Sequence, residues 1–173
     1  MDAIKAIKTR RSIRKYKDKK VPSKLVKELI LAGMHAPSSF NSQPWIFITT
    51  TKKETKNAIA EHKSQKSQFI KDAPLLMACC YDINKSKESA HNIENVAVAV
   101  ENILIAANAL GLGTCYIGAF ASKYPEIEKS IIKAFKLPKH INVVALITIG
   151  YPDIKPNEKE LRPISDVWRR DVY

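Results

Sequence analysis

Apolar residues recur along this chain with two different periods, and the switches between them mark out its elements. Between Pro22 and Pro37, Leu25, Val26, Leu29, Ile30 and Met34 fall at helical spacing, and Pro37 stops the run. From Ser89 to Leu110 there is neither Pro nor Gly. Val96, Val100, Ile103, Leu104, Ala107 and Leu110 there predict a long helix buried on much of its circumference, with Gly111 as a left-handed cap. Shorter helices are expected over Asp2–Lys8, where Ala3, Ile4 and Ile7 share a side, over the more polar Lys52–Lys63, and over Pro125–Phe135.

The other pattern is short, β-branched and bounded by turn residues. "WIFITTT" reads as a strand, and "APLLMACCYD", between Pro74 and Asp82, as a buried one. "TCYIGAF" is a strand or extended segment, and "INVVALITIGYP" is the strongest buried strand of the chain. About four strands interleaved with helices predict layered α/β or α+β architecture. Connections of a dozen or more residues also permit parallel pairing, so strand order stays open. The tail from about 152 to 173 is polar and proline-interrupted, yet it carries Leu161, Ile164, Val167, Trp168 and Tyr173. Those side chains need a partner, either the chain's own core or another subunit.

The chain has 173 residues, 45% hydrophobic and 27% charged, without repeats or low-complexity tracts, as expected of one folded domain spanning 1–173. No apolar run is long enough to span a bilayer, and the N-terminus lacks the apolar stretch of a signal peptide. Three cysteines, Cys79, Cys80 and Cys115, with no CxxC spacing, fit a reduced cytoplasmic setting. Twenty-nine basic against 17 acidic residues give a formal charge of +12, which favours anionic partners without choosing among them.

Several chemistries are thinned out by absence. His35, His62, His91 and His140 lie far apart, and the His91–Glu94 pair is far more often a surface contact than a metal site. There is no GxSxG elbow and no P-loop. "GLGTCYIG" follows a helix and has the wrong spacing for a Rossmann loop. It reads either as a cap and turn or as backbone that approaches a flat ligand at Gly113 and Gly118.

Three features remain. In "TRRSIRKYKDKKVP", Arg10, Ser12 and Arg14 alternate, so an extended backbone turns them to one side, where two guanidinium groups and a hydroxyl suit a phosphate monoester. A solvated basic turn is the competing reading. "PSSFNSQPW" sets amide and hydroxyl side chains on a loop between a helix and a strand. These match the donor and acceptor edge of a pyrimidine-like ring, or make an ordinary polar turn. The third feature is the glycine-bearing segment just described.

Taken in order, "RRSIRKY", "APSSFNSQPW", "GLGTCYIGAF" and "IGYP" with its Arg-Pro tail resemble the FMN-dependent nitroreductase family, from about Ile4 to Trp168. The resemblance implies an α+β fold of α/β/α layers with a central, mostly antiparallel sheet. It further implies a homodimer with FMN at the subunit interface and an exchanged C-terminal arm of about 152–173. Arg10, Arg11, Ser12 and Arg14 match the stretch that grips the phosphate and the flavin's pyrimidine side. Ser38, Ser39 and Asn41 match a loop contributed by the other subunit. Ile117 and Gly118 match the backbone beside the ring and N5. Arg162 matches a cation of the arm that reaches the phosphate, although Glu160 stands where some relatives carry a second cation. Gln65 and Gln68 are alternatives for one further flavin contact.

The implied activity is ping-pong transfer of hydride from NADH or NADPH, through FMN, to a small electron-poor acceptor such as a nitroaromatic or quinone. No catalytic acid or base is required of the protein. Alternatives within the fold are dehalogenation, flavin fragmentation and dehydrogenation. A basic nucleic-acid-binding protein is the rival from another class, but helix-turn-helix, RNP and zinc-knuckle signatures are missing. Neither nucleic acid nor membrane is expected as a partner.

Overall fold

The computed structural model describes residues 1–61, 65–87, 89–119 and 125–173. Its helices are α1 (Ala3–Thr9), α2 (Ser23–Met34), α3 (Lys53–Glu61), α4 (Asn92–Ala109) and α5 (Pro125–Phe135). Its strands are β1 (Trp45–Thr50), β2 (Leu75–Asp82), β3 (Gly113–Gly118) and β4 (Ile141–Gly150). The boundaries follow local chemistry. The Asp2 carboxylate accepts from the Lys5 amide and opens α1, one residue later than the periodicity predicted. Ser89–His91 forms a separate 3-10 turn ahead of α4, and Gly111, at φ +77°, provides the left-handed exit from it.

The strands form one sheet in the order β1-β2-β4-β3, and each neighbouring pair is antiparallel. The order that patterning left open is therefore settled. β2 and β4 are central and buried on both faces, which explains their continuous apolar runs. Successive side chains feed opposite layers. Met77 and Cys79 pack with α2 and α4, whereas Leu76, Ala78 and Cys80 pack with α3 and α5. The two adjacent cysteines are thus small apolar fillers of two separate cores.

Four asparagines on α4 would be anomalous in an apolar helix if they only faced water. Asn102 donates to the Ala32 carbonyl in α2, and Asn108 donates to the Ala6 carbonyl and Thr9 hydroxyl of α1. Asn95 accepts from the Ser39 amide, and Asn92 is buried one turn earlier. Three of these side chains thus join α4 to α2, to α1 and to the loop before β1. The segment from 153 to 173 is exposed throughout, so its apolar residues find no cover within the chain.

Candidate functional site

The basic stretch is extended. Ser12 bridges Thr114 of β3 in parallel register, the Ile13 amide donates to the Thr114 carbonyl at 2.8 Å, and Tyr16 bridges Pro152. Ile13 is buried against Gly113, where a Cβ would lie 2.8 Å from the Ile13 Cβ. Gly113 is therefore small to admit the chain's own isoleucine. Of the two glycines offered for approach to a flat ligand, only Gly118 has open space where its Cβ would stand.

With Ile13 anchored, the alternating residues gather where the spacing predicted. Arg14, Ser12 and Arg10 all act on the thiol of Cys115 in β3. Burial raises that thiol's pKa, and the two guanidinium charges together with hydrogen bonds from Ser12 and Arg14 pull it partly back. Arg14 also lies over the ring of Phe69, with its guanidinium carbon 5.8 Å from the centroid. Arg10 approaches Glu101 of α4 at 3.9 Å, a half-exposed pair worth little in itself. The result is a cationic cluster at Cys115 of β3, with Phe69 beside Arg14.

Arg11 is placed differently from its neighbours. Its guanidinium donates to the carbonyls of Lys8, Arg10 and Asn157, closing the end of α1 and tying down the start of the arm. Gln68 donates to the Ala60 carbonyl at 2.9 Å, so its amide holds α3. The side chain of Gln65 lies outside the described part of the structure. Arg162 sits on the exposed arm, five residues beyond the Asn157 contact.

The loop before β1 is a compact, strained turn. The Ser38 carbonyl accepts from the Asn41 amide and its hydroxyl from the Gln43 amide, while Asn41 accepts from the Gln43 side chain. Phe40, Asn41 and Gln43 all have positive φ, at 52°, 52° and 47°. Three non-glycine residues in the left-handed region are costly, and such strain gathers at binding sites. Phe40 projects into solvent, with 69% of its surface exposed.

The clamp and this loop do not meet within one chain. The loop is fixed to Asn95 near the start of α4, whereas α1, which leads into the clamp, is fixed to Asn108 near its end. At 1.5 Å per residue the two asparagines lie about 20 Å apart along α4. β1 and β3, which follow the loop and carry the clamp, are also opposite edges of the sheet. Within one chain the clamp and the loop therefore lie at separate places.

Sequence reasoning missed Phe69, Cys115 and Asn95. Cys115 could have been found from parity, since it shares a β3 face with Ile117. The signal for Asn95 was an asparagine on the buried side of a predicted helix. Phe69 carried no signal, because its proximity to Arg14 is purely tertiary.

The model of the nitroreductase family matches residues 7–76 and 61–151. A Methanothermobacter thermautotrophicus protein, provisionally named an NADH dehydrogenase/NAD(P)H nitroreductase, is 35% identical over 93% of this chain and 83% of its own. Among solved structures, a protein of the same provisional name from Parabacteroides distasonis superposes with a TM-score of 0.91. It has 30% identity and covers 99% of this chain and 98% of its own. An FMN-dependent nitroreductase from Clostridium difficile gives a TM-score of 0.81 at 32% identity, covering 98% and 97%.

Proposed function

Since the chain belongs to the nitroreductase family, we propose that it is an FMN-dependent NAD(P)H oxidoreductase whose flavin is held between two copies of the chain. The observation that carries this reading is the gathering of Arg10, Ser12 and Arg14 at Cys115 of β3, the strand that ends at Gly118. Two guanidinium groups and a hydroxyl fit a phosphate monoester or the polar edge of a flavin, and a strand without a side chain at Gly118 leaves room for a flat ring. Among the described residues no cluster of three metal-ligating side chains occurs, and no helix is long and apolar enough to cross a membrane.

Bound FMN would supply hydride transfer between nicotinamide and acceptor. The chain's own contribution is position and charge. Arg10, Ser12 and Arg14 orient the cofactor, Ile117 and Gly118 form the floor beside it, and Arg14 faces its electron-rich side. The loop of Ser38, Ser39 and Asn41 closes the site from the partner copy. The separation of the clamp and the loop within one chain supports this pairing. It also gives the apolar arm a place to bury Leu161, Ile164 and Trp168, which are 76%, 70% and 58% exposed in the single chain. Donor and acceptor would then visit the same face in turn. Nitroaromatics and quinones are the acceptor class.

The test is spectroscopic. The purified protein should be yellow, should bleach anaerobically with NADH or NADPH, and should regain colour on addition of a nitroaromatic or quinone. A protein that takes up no FMN refutes the reading. One that binds FMN and bleaches, yet is not reoxidised by either acceptor, moves the activity to another reaction of the fold.

A further inference from the structure

A cleft of about 650 Å³ opens at the end of the sheet where β1 finishes and β2 begins, lined by Tyr16, Thr51, Ala73 and Pro74 among charged groups. Among the described residues, five of those charged groups are lysines, Lys19, Lys20, Lys53, Lys56 and Lys71, and only Asp18 and Asp72 oppose them. Among the described residues none of the five lysines makes an ion pair. Lys19 is held instead over the ring of Tyr151, 4.3 Å from its centroid. Lys56 is only 5% exposed, and its ammonium has a single described partner, the Ala73 carbonyl at 2.6 Å.

A buried ammonium with one neutral partner is costly, and four more cations around the same space add repulsion. Burial and the nearby Lys53 lower the Lys56 pKa, and Asp72 only partly offsets them. The cleft is also distinct from the clamp. Tyr16 stands between them, with its hydroxyl bonded to the Ile13 carbonyl and the Thr148 side chain.

We propose that this cleft is a second anion site, taking a phosphate or diphosphate group. Its volume lies within the range of small-molecule sites and exceeds what one phosphate fills, so the group can belong to a nucleotide or be free. Lys71 follows Phe69 by two residues, and Phe69 lies against Arg14, so the cleft opens beside the clamp. The proposal does not depend on the flavin reading.

The test is calorimetric titration of inorganic pyrophosphate into the full-length protein saturated with FMN, at low ionic strength. Binding is expected to weaken about tenfold or more in Lys53→Ala/Lys71→Ala, a pair of exposed lysines whose loss leaves the core untouched. Arg14→Ala is expected to leave it within about twofold, which separates this site from the clamp. Competition by ADP-ribose identifies a nucleotide diphosphate as the occupant, and its failure to compete identifies a free anion. Absence of binding up to about 10 mM overturns the proposal. So does binding that survives the double substitution or disappears with Arg14→Ala. If instead the protein holds no FMN yet binds pyrophosphate with the lysine dependence described, the flavin reading fails and the cleft stands.

Discussion

Replacing Gly113 with alanine should damage both the fold and the site, through one contact. The added Cβ would lie 2.8 Å from the Cβ and Cγ1 of Ile13 and 2.9 Å from its Cγ2, where ordinary contacts begin at 3.4 Å. The Ile13 Cβ is joined directly to the backbone and cannot swing aside, so the segment must retreat by roughly half an ångström, straining the 2.8 Å bond to the Thr114 carbonyl. Overpacking of this kind costs about 1–3 kcal/mol. For a chain of this size that lowers the melting temperature by about 2–12 °C. Ser12 and Arg14 flank Ile13, so FMN affinity should also fall by about tenfold or more. Gly118→Ala is the matched control. Its new methyl meets nothing within 4 Å, so the melting temperature should hold, yet FMN should bind more weakly because the methyl would crowd the proposed flavin floor. Differential scanning fluorimetry and flavin fluorescence titration read both quantities. A Gly113→Ala protein with unchanged melting temperature and FMN affinity would refute the packing argument.

Three further outcomes are expected. Arg14→Ala should weaken FMN binding by about 10–100-fold, the loss of one charge-assisted bond, and lower the flavin's reduction potential, with Arg14→Lys intermediate; redox-dye equilibration measures the second effect. Ending the chain after Pro156 should leave the circular dichroism spectrum in place but yield a monomer by sedimentation velocity with little FMN, because no core residue lies in the removed arm. Stability should decline at alkaline pH. Burial pushes the Cys80 pKa up to about 12 and that of Cys79 well above its ordinary value, whereas unfolded thiols ionise near 8.5. Above that pH the unfolded chain binds fewer protons than the folded one, so unfolding free energy falls by up to about 1.4 kcal/mol per pH unit for each thiol. Urea midpoints at pH 7, 9 and 10 check the slope, which should be flat below about pH 8.

The elements were legible in the sequence where a single physical signal set them. β4 is buried on both faces and reads as an unbroken apolar run, and α2 lies between two prolines with its stripe intact. The clamp was legible for a related reason. Alternation in an extended segment is fixed by backbone geometry, so Arg10, Ser12 and Arg14 had to share a side once Ile13 was buried. Arg11 and Gln68 show where such reasoning stops. Both are donors that could serve a ligand, and both are engaged by backbone carbonyls of α1, the arm and α3, brought near only by the tertiary fold. Strand order was likewise invisible, since α4, β3 and α5 all lie in 83–140, the link between the neighbours β2 and β4.

The central claim is that each flavin lies between the clamp of one chain and the loop of another. It is tested by co-expressing Arg10→Ala/Arg14→Ala chains with Ser39→Pro/Asn41→Ala chains under different tags and isolating the mixed dimer. Either homodimer should hold little FMN. The mixed dimer contains one intact clamp facing one intact loop, so the account predicts about one FMN per dimer. A mixed dimer as empty as its parents would mean that both lesions fall within the same chain's site, and would contradict the claim.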